Sequence, residues 1–303
     1  MTSAAGSAIG GTLQARGVTF TWARPLLMGI LNANPDSFSD PGARSVADVV
    51  ARAQALVAAG AGALDVGAQS AITGRSPAEP SAEAAAVVPV VREVLARCPG
   101  ILVSVDTFKP AVAEAALAAG AHLVNDVSGL RDPVLARLCA AAGAALVVMH
   151  TAAPPLVRRQ EPGLYADIAA EVAAFLAQRV AVAAEAGVAE ASIVVDPGVD
   201  FAKTPAQSVA LLRHLGPVVA LGHPVLLALS RKDFVGALTA RPPAGRDAGT
   251  LGAVAALRNV PAQILRVHDV AAVGDLLTVL DALTGEAEVA ADLVLPEELR
   301  HQR

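Results

Sequence analysis

The sequence predicts a closed (β/α)8 barrel of parallel strands inside a ring of helices. Three observations carry that expectation. Short aliphatic runs alternate with Ala-rich stretches of helical length. Eight such pairs fit into about 270 residues, which suits a closed barrel better than an open sheet. Nearly every run ends in Gly, Asp, Asn or His. The strand candidates are 26–30, 63–66, 101–105, 122–124, 145–149, 192–195, 225–229 and 264–267. Helix candidates follow at 45–59, 83–97, 110–119, 133–142, 167–186, 205–215, 249–258 and 270–283. Pro110, Pro133 and Pro205 stand where a first helical turn tolerates a missing N–H. Ala-Gly pairs ending at Gly60, Gly120 and Gly143 are C-cap signals ahead of the next strand.

Composition narrows the class. Of 303 residues, 54% are hydrophobic and only 3% aromatic, so a large core built from small side chains is expected. A net charge of −5 with scattered basic residues argues against a nucleic-acid surface. Cys98 and Cys139 have no metal-ligand spacing and read as buried thiols. Apolar runs are broken by His, Pro or charge before reaching spanning length, and no secretory leader pattern precedes them. No membrane association is expected, and the cytoplasm is the expected location. The expected organisation is a flexible N-terminus over 1–10, one barrel domain over 11–285 and a tail over 286–303.

In such barrels the chemistry sits where the strands end, because the loops there converge around the mouth. The residues at those ends are Asn32, Asp65, Asp106, Asn125 with Asp126, His150, Asp196, Ser230-Arg231-Lys232 and Arg266 through Asp269. One strand-terminal Asp is usually a turn or capping residue; a polar residue at every strand end, above apolar strand centres, points to a site. Asp and Asn suit the edge of a flat nitrogen heterocycle. Lys, Arg and His suit an anion such as phosphate. Asn32, near Asp36 and Asp40, offers an oxygen to Mg²⁺ on a phosphorylated substrate, although taken alone a turn role is the better explanation of it. From the residues alone the expectation is an enzyme for a small polar heterocycle with an anionic group.

The segments MGILNANPDSFSD (28–40), SVDTFKP (104–110), NDVSGL (125–130), VVMH (147–150), DPGVDFAKT (196–204), LSRKDFVG (229–236) and RVHDV (266–270) resemble dihydropteroate synthases, in that family's order and spacing. The resemblance implies a transferase condensing 6-hydroxymethyl-7,8-dihydropterin diphosphate with p-aminobenzoate, an aryl amine, and releasing diphosphate. It further implies that Asp106, Asn125, Asp196 and Lys232 line a pterin pocket, with Met149 against the ring and Phe201 beside it. Asn32, Ser230, Arg266 and His268 are implied on the diphosphate side, where Asn32 holds Mg²⁺. Asp106, Lys232 and Arg266 are the implied catalytic residues. A homodimer is also implied, although the apolar last helix suits packing on the barrel equally.

Two loops depart from the family pattern. The first carries Asn34 and Pro41 where relatives have Thr and Gly. In the second, Ala68, Gln69, Ala71 and Ile72 replace Gly, Glu, Thr and Arg. Ala228 also replaces a Gly before the Ser-Arg-Lys run. The departures leave two alternatives open: a pterin-binding relative that has lost p-aminobenzoate, and an enzyme condensing a different amine. Methyl transfer from methyl-tetrahydrofolate in a related barrel would leave Ser-Arg-Lys and Arg-Val-His with little to do.

Overall fold

The computed structural model describes residues 10–33, 45–68 and 77–300. The chain opens with an antiparallel hairpin, β1 (Gly11–Ala15) and β2 (Val18–Trp22). Eight parallel strands then close a barrel: β3 (Leu26–Asn32), β4 (Ala63–Gly67), β5 (Leu102–Asp106), β6 (Leu123–Asp126), β7 (Ala145–Met149), β8 (Ile193–Asp196), β9 (Val225–Leu227) and β10 (Gln263–Val267). They neighbour one another in chain order, and β10 pairs with β3 to close the ring. The expected barrel is therefore present. Several strands reach one or two residues further than the sequence suggests, so Asp106, Asn125-Asp126 and Asp196 are strand residues rather than loop residues.

The outer ring is α1 (Val46–Ala58), α2 (Pro80–Arg97), α3 (Pro110–Ala118), α4 (Val134–Ala142), α5 (Ile168–Glu185), α6 (Pro205–Arg213), α7 (Gly216–Val219), α8 (Asp233–Thr239), α9 (Asp247–Leu257) and α10 (Val270–Thr284). Local chemistry sets their starts. Ser45 caps α1 in a reciprocal box with Asp48, and Thr204 does the same for α6 with Gln207. The expected helix over 205–215 ends at Arg213, where His214 leaves helical geometry, and the short α7 follows beyond it from Gly216. The Ala-Gly stop at Gly143 takes the left-handed φ of 61° that a C-cap requires.

Two apolar layers result. Outward-facing strand residues such as Leu64, Val103, Val124, Leu146, Val195 and Leu265 pack under the helices. Inward-facing ones, including Met28, Ala63, Leu102, Leu123, Val194 and Ile264, fill the barrel together with Leu13 and Ala15 of the hairpin. The hairpin thus plugs the barrel base. No helix among the described residues is long and apolar enough to cross a membrane. Cys98 and Cys139 are both free and buried, as expected.

Candidate active site

Alternation along the strands builds the site. Ala63, Leu102, Leu123, Val194 and Ile264 point inward, so the residues two positions on, Asp65, Ser104, Asn125, Asp196 and Arg266, point the same way one layer nearer the mouth. Asp106 and His268 stand one layer higher still. The apolar filling of the barrel therefore gives way to a polar floor.

Asp65 is the hub of that floor. It has no exposed surface, and one carboxylate oxygen accepts from Ser104 Oγ at 2.5 Å. The other accepts from Asn125 Nδ2 at 3.0 Å and from Arg266 Nε at 2.6 Å. Arg266 reaches Asp106 with its other edge, at 2.8 Å. Its guanidinium therefore joins two carboxylates, a buried geometry that holds only with well-placed partners. Asn125 Oδ1 is buried and finds no hydrogen-bond partner among the described residues. Burial raises the Asp106 carboxyl above the usual carboxylate range, and the attraction of Arg266 only partly offsets it. For Arg266, burial acts to lower its pKa, but Asp65 and Asp106 outweigh it and hold it above the ordinary value.

The β8 and β9 side supplies a second group. Asp196 is buried, accepts from Gly198 N at 2.6 Å, and is raised by burial. Lys232, lowered by burial, donates to Val199 O at 3.0 Å and lies 4.5 Å from the centre of the Phe201 ring. Met149 ends β7 beside Asp196 and is buried.

A third group lines a cleft of about 490 Å³ between β3 and β10, formed by Asn32, Arg52, Arg231, His268 and neighbours. Ser230 Oγ lies 2.9 Å from His268 Nδ1 and accepts from the His268 backbone N–H at 3.3 Å. The hydroxyl can give its proton to Nδ1, the arrangement that places the ring proton on Nε2. Burial and then Arg231 lower His268 to about 4, so the ring is neutral at pH 7. Arg231 is clamped in two places by Asp247, at 2.7 and 3.0 Å. Arg52 and Arg231 bring positive charge to the cleft, and Asp48 and Asp269 line it as well.

Not every rim residue joins the site. Asp126 turns back to accept from Ser128 and Leu130 backbone N–H groups. Asp269 caps α10 through Ala272 N. His150 is buried against Lys203. Lys203, Ser104 and Arg52 also lie at or beside the site; Ser104 and Lys203 fall within the segments SVDTFKP and DPGVDFAKT, and Ser104 has the inward register two residues before Asp106, whereas nothing in the sequence marks Arg52. Asn34, Pro41, Gln69, Ala71 and Ile72 lie outside the described residues, as do Asp36 and Asp40. Ala68 is buried at the end of β4, and Ala228 packs against the inner core.

The family model described as pterin binding enzyme matches residues 28–268. The dihydropteroate synthase of Mycobacterium leprae is 45% identical over 266 residues, covering 84% of this chain and 92% of its own. The chain belongs to the dihydropteroate synthase family. Two solved structures agree with that. The Xanthomonas albilineans dihydropteroate synthase with 4-aminobenzoic acid is 40% identical at a TM-score of 0.80, over 90% of this chain and 99% of that one. The Thermus thermophilus dihydropteroate synthase in complex with 6HMPPP is 41% identical at 0.77, over 90% and 100%. As a dihydropteroate synthase-type protein, the chain is a transferase of folate biosynthesis that forms a C–N bond.

Proposed function

We propose that the polar floor binds the pterin ring, that the cleft beside it binds the diphosphate, and that p-aminobenzoate attacks the methylene between them. The buried, unpartnered Asn125 Oδ1 carries this reading. A buried acceptor without a donor is costly, and a ring N–H or amino group of a pterin supplies one. The Asp106 and Asp196 carboxylates accept from further donors on the same heterocycle edge, with Lys232 opposite its carbonyl oxygen. Met149 and Phe201 supply apolar contact to the ring.

In the reaction the C–O bond to diphosphate breaks and the C–N bond to the amine forms, with loss of one proton from the nitrogen. Positive charge develops on the pterin methylene as the anion departs. Asp106 and Asp196 stabilise that charge from fixed positions. Arg266 and neutral His268, through Nε2–H, donate to the departing diphosphate. The aryl amine is uncharged near pH 7, so no side chain need serve as nucleophile.

Among the described residues no three His, Cys, Asp or Glu side chains converge to hold a metal ion. Mg²⁺ on a diphosphate takes most of its ligands from phosphate and water, with one or two from protein. Exposed Asn32, in the cleft beside His268, fits that single-ligand role. Bound there, Mg²⁺ would neutralise charge on the leaving group. We also assign the enzyme to the cytoplasm and residues 11–285 to one barrel domain; both assignments, like a homodimer, follow the family reading.

Calorimetry with the pterin diphosphate and Mg²⁺, followed by diphosphate release on adding p-aminobenzoate, tests the proposal. Binding with turnover is expected. Binding without turnover at saturating p-aminobenzoate would overturn the acceptor assignment, and no binding would overturn the pterin pocket.

A further inference from the structure

The connection between β8 and α6, residues 197–204, presents Phe201 and the Val199 carbonyl that receives Lys232, and it fastens Asp196. Its own backbone is strained. Gly198, Asp200 and Ala202 all lie in the left-handed region, at φ of 67°, 66° and 50°. For Asp200 and Ala202 that conformation is sterically costly, as it is not for Gly198. A Cβ on Gly198 would collide with the His150 carbonyl oxygen, so the connection lies directly on the end of β7. Something must hold this shape.

Lys203 lies inside the connection with no exposed surface at all. Its Nζ donates to Gly198 O at 2.7 Å and Phe201 O at 3.0 Å, and stands 2.8 Å from His150 Nδ1. The His150 ring is wedged against Phe175, 4.9 Å between centres, and against Tyr165 at 5.7 Å. Tyr165 Oη in turn donates to Ala202 O at 3.0 Å. One ammonium and one phenol thus tie the carbonyls of Gly198, Phe201 and Ala202, while Asp200 is held separately by Ser208 and by the Asp233 and Phe234 N–H groups.

We propose that Lys203 is a positioning residue: its amino group, braced by His150, holds the β8–α6 connection in the one shape that presents Asp196, Phe201 and Lys232 to the pterin. The proposal rests on the pterin reading of the site. The fastening survives a change of protonation. The ammonium has three protons for its three nearest partners, with the His150 carbonyl farther off at 3.5 Å. The neutral amine keeps two protons for the two carbonyls and turns its lone pair to Nδ1–H of the other imidazole tautomer. Burial, which lowers Lys203 to about 7, therefore leaves the clamp closed in either form. A salt bridge there would leave an uncompensated buried charge whenever its lysine titrated.

The test compares the full-length parent with Lys203→Met. Methionine fills similar volume but offers no donor to the Gly198 and Phe201 carbonyls. Near-UV circular dichroism establishes folding. Calorimetry then measures binding of 6-hydroxymethyl-7,8-dihydropterin diphosphate with Mg²⁺, and steady-state rates separate KM from kcat. The expected result is a Kd and a KM for the pterin diphosphate raised at least tenfold in the folded variant. A lysine that merely stabilises the fold would lower the amount of active enzyme and leave both constants unchanged, and that result overturns the proposal. Absence of pterin binding to the parent would instead overturn the pterin reading.

If Lys203→Met does not fold, amide hydrogen exchange on the unmutated, ligand-free protein decides. The Gly198 and Phe201 amides are expected to exchange as slowly as those of β7. Exchange as fast as that around exposed Val157 shows that the connection is not held before substrate arrives, and the proposal fails.

Discussion

Arg266 Nε lies 2.6 Å from the Asp65 carboxylate, across 201 residues of sequence. That pair joins β4 to β10, strands on either side of β3. Asp65 thus aims the arginine whose other edge touches Asp106. In Asp65→Asn the amide oxygen can still accept from Asn125 and Arg266 while its NH2 faces the Ser104 hydroxyl, but the negative charge is lost and the guanidinium is left with Asp106 alone as its counter-ion. Breaking one side of a buried pair costs about 3–5 kcal/mol. Asp65→Asn is therefore expected to lower the unfolding free energy in urea by about 3 kcal/mol, with kcat/KM down at least tenfold. Stability within 0.5 kcal/mol of the parent, roughly the scatter of surface changes, would show that Asp65 is not the hub.

The Asp65 to Arg266 relation was partly legible in the sequence. Both residues end apolar runs, which marked them as rim residues. Their contact was not readable, because it depends on strand register and on barrel closure by β10 against β3. Lys203 was harder still. A lysine seven residues past a strand reads as a solvated side chain, since lysine is almost never fully buried. Only the folded connection reveals its three acceptors.

On the pterin side, Asp196→Asn exchanges an acceptor oxygen for a donor that meets another donor on the ligand. An unpaired polar group in a buried site costs about 1–3 kcal/mol. A 10- to 100-fold weaker Kd for the pterin diphosphate is expected by calorimetry, at unchanged far-UV circular dichroism. Parent-like affinity would mean that the heterocycle lies elsewhere.

His268 acts on the diphosphate alone if the cleft is correctly assigned. His268→Ala is expected to weaken pterin diphosphate at least fivefold while leaving 6-hydroxymethylpterin, which has no diphosphate, within twofold of the parent. EDTA should show the same selectivity through the ion proposed at Asn32, and Asn32→Ala should make affinity insensitive to EDTA. Equal loss for both ligands would place His268 at the ring instead.

The hairpin at the barrel base tests the separation of stability from chemistry. Leu13 has no exposed surface and packs with Met28, Leu102 and Ile264 inside the barrel. Leu13→Ala is expected to cost about 2–5 kcal/mol, read from urea unfolding, with kcat per folded molecule unchanged. The hairpin was missed in the sequence because its strands are short and half polar, although Leu13 and Ala15 alternate with Thr12 and Gln14 ahead of the Arg16-Gly17 turn. A fall in kcat to match would mean that the base and mouth of the barrel are coupled.

The last prediction concerns pH and uses His150. Burial first, and then the positive Lys203, lower its pKa from 6.5 to about 3. The folded protein therefore keeps the ring neutral, while the unfolded chain takes up a proton below 6.5. Stability contributed by a neutral His150 is present above pH 6.5 and is lost as pH falls towards 3, by up to about 1.4 kcal/mol per pH unit. Buried carboxylates raised by burial, Asp106 and Asp196 among them, act in the opposite direction over an overlapping range, so the parent's own profile does not isolate the histidine. His150→Asn does, because the amide oxygen replaces Nδ1 as a partner for Lys203 and does not titrate. At pH 7.5 the variant is expected to be less stable than the parent, having lost the ring contacts to Phe175 and Tyr165. The gap should narrow between pH 6.5 and 4.5 as the parent alone loses stability. Urea unfolding of both proteins at pH 7.5, 6 and 5 reads this directly; a gap that stays constant would mean that His150 titrates in the fold as it does in the unfolded chain, and the ring held neutral below pH 6.5 beside Lys203 would have to be abandoned.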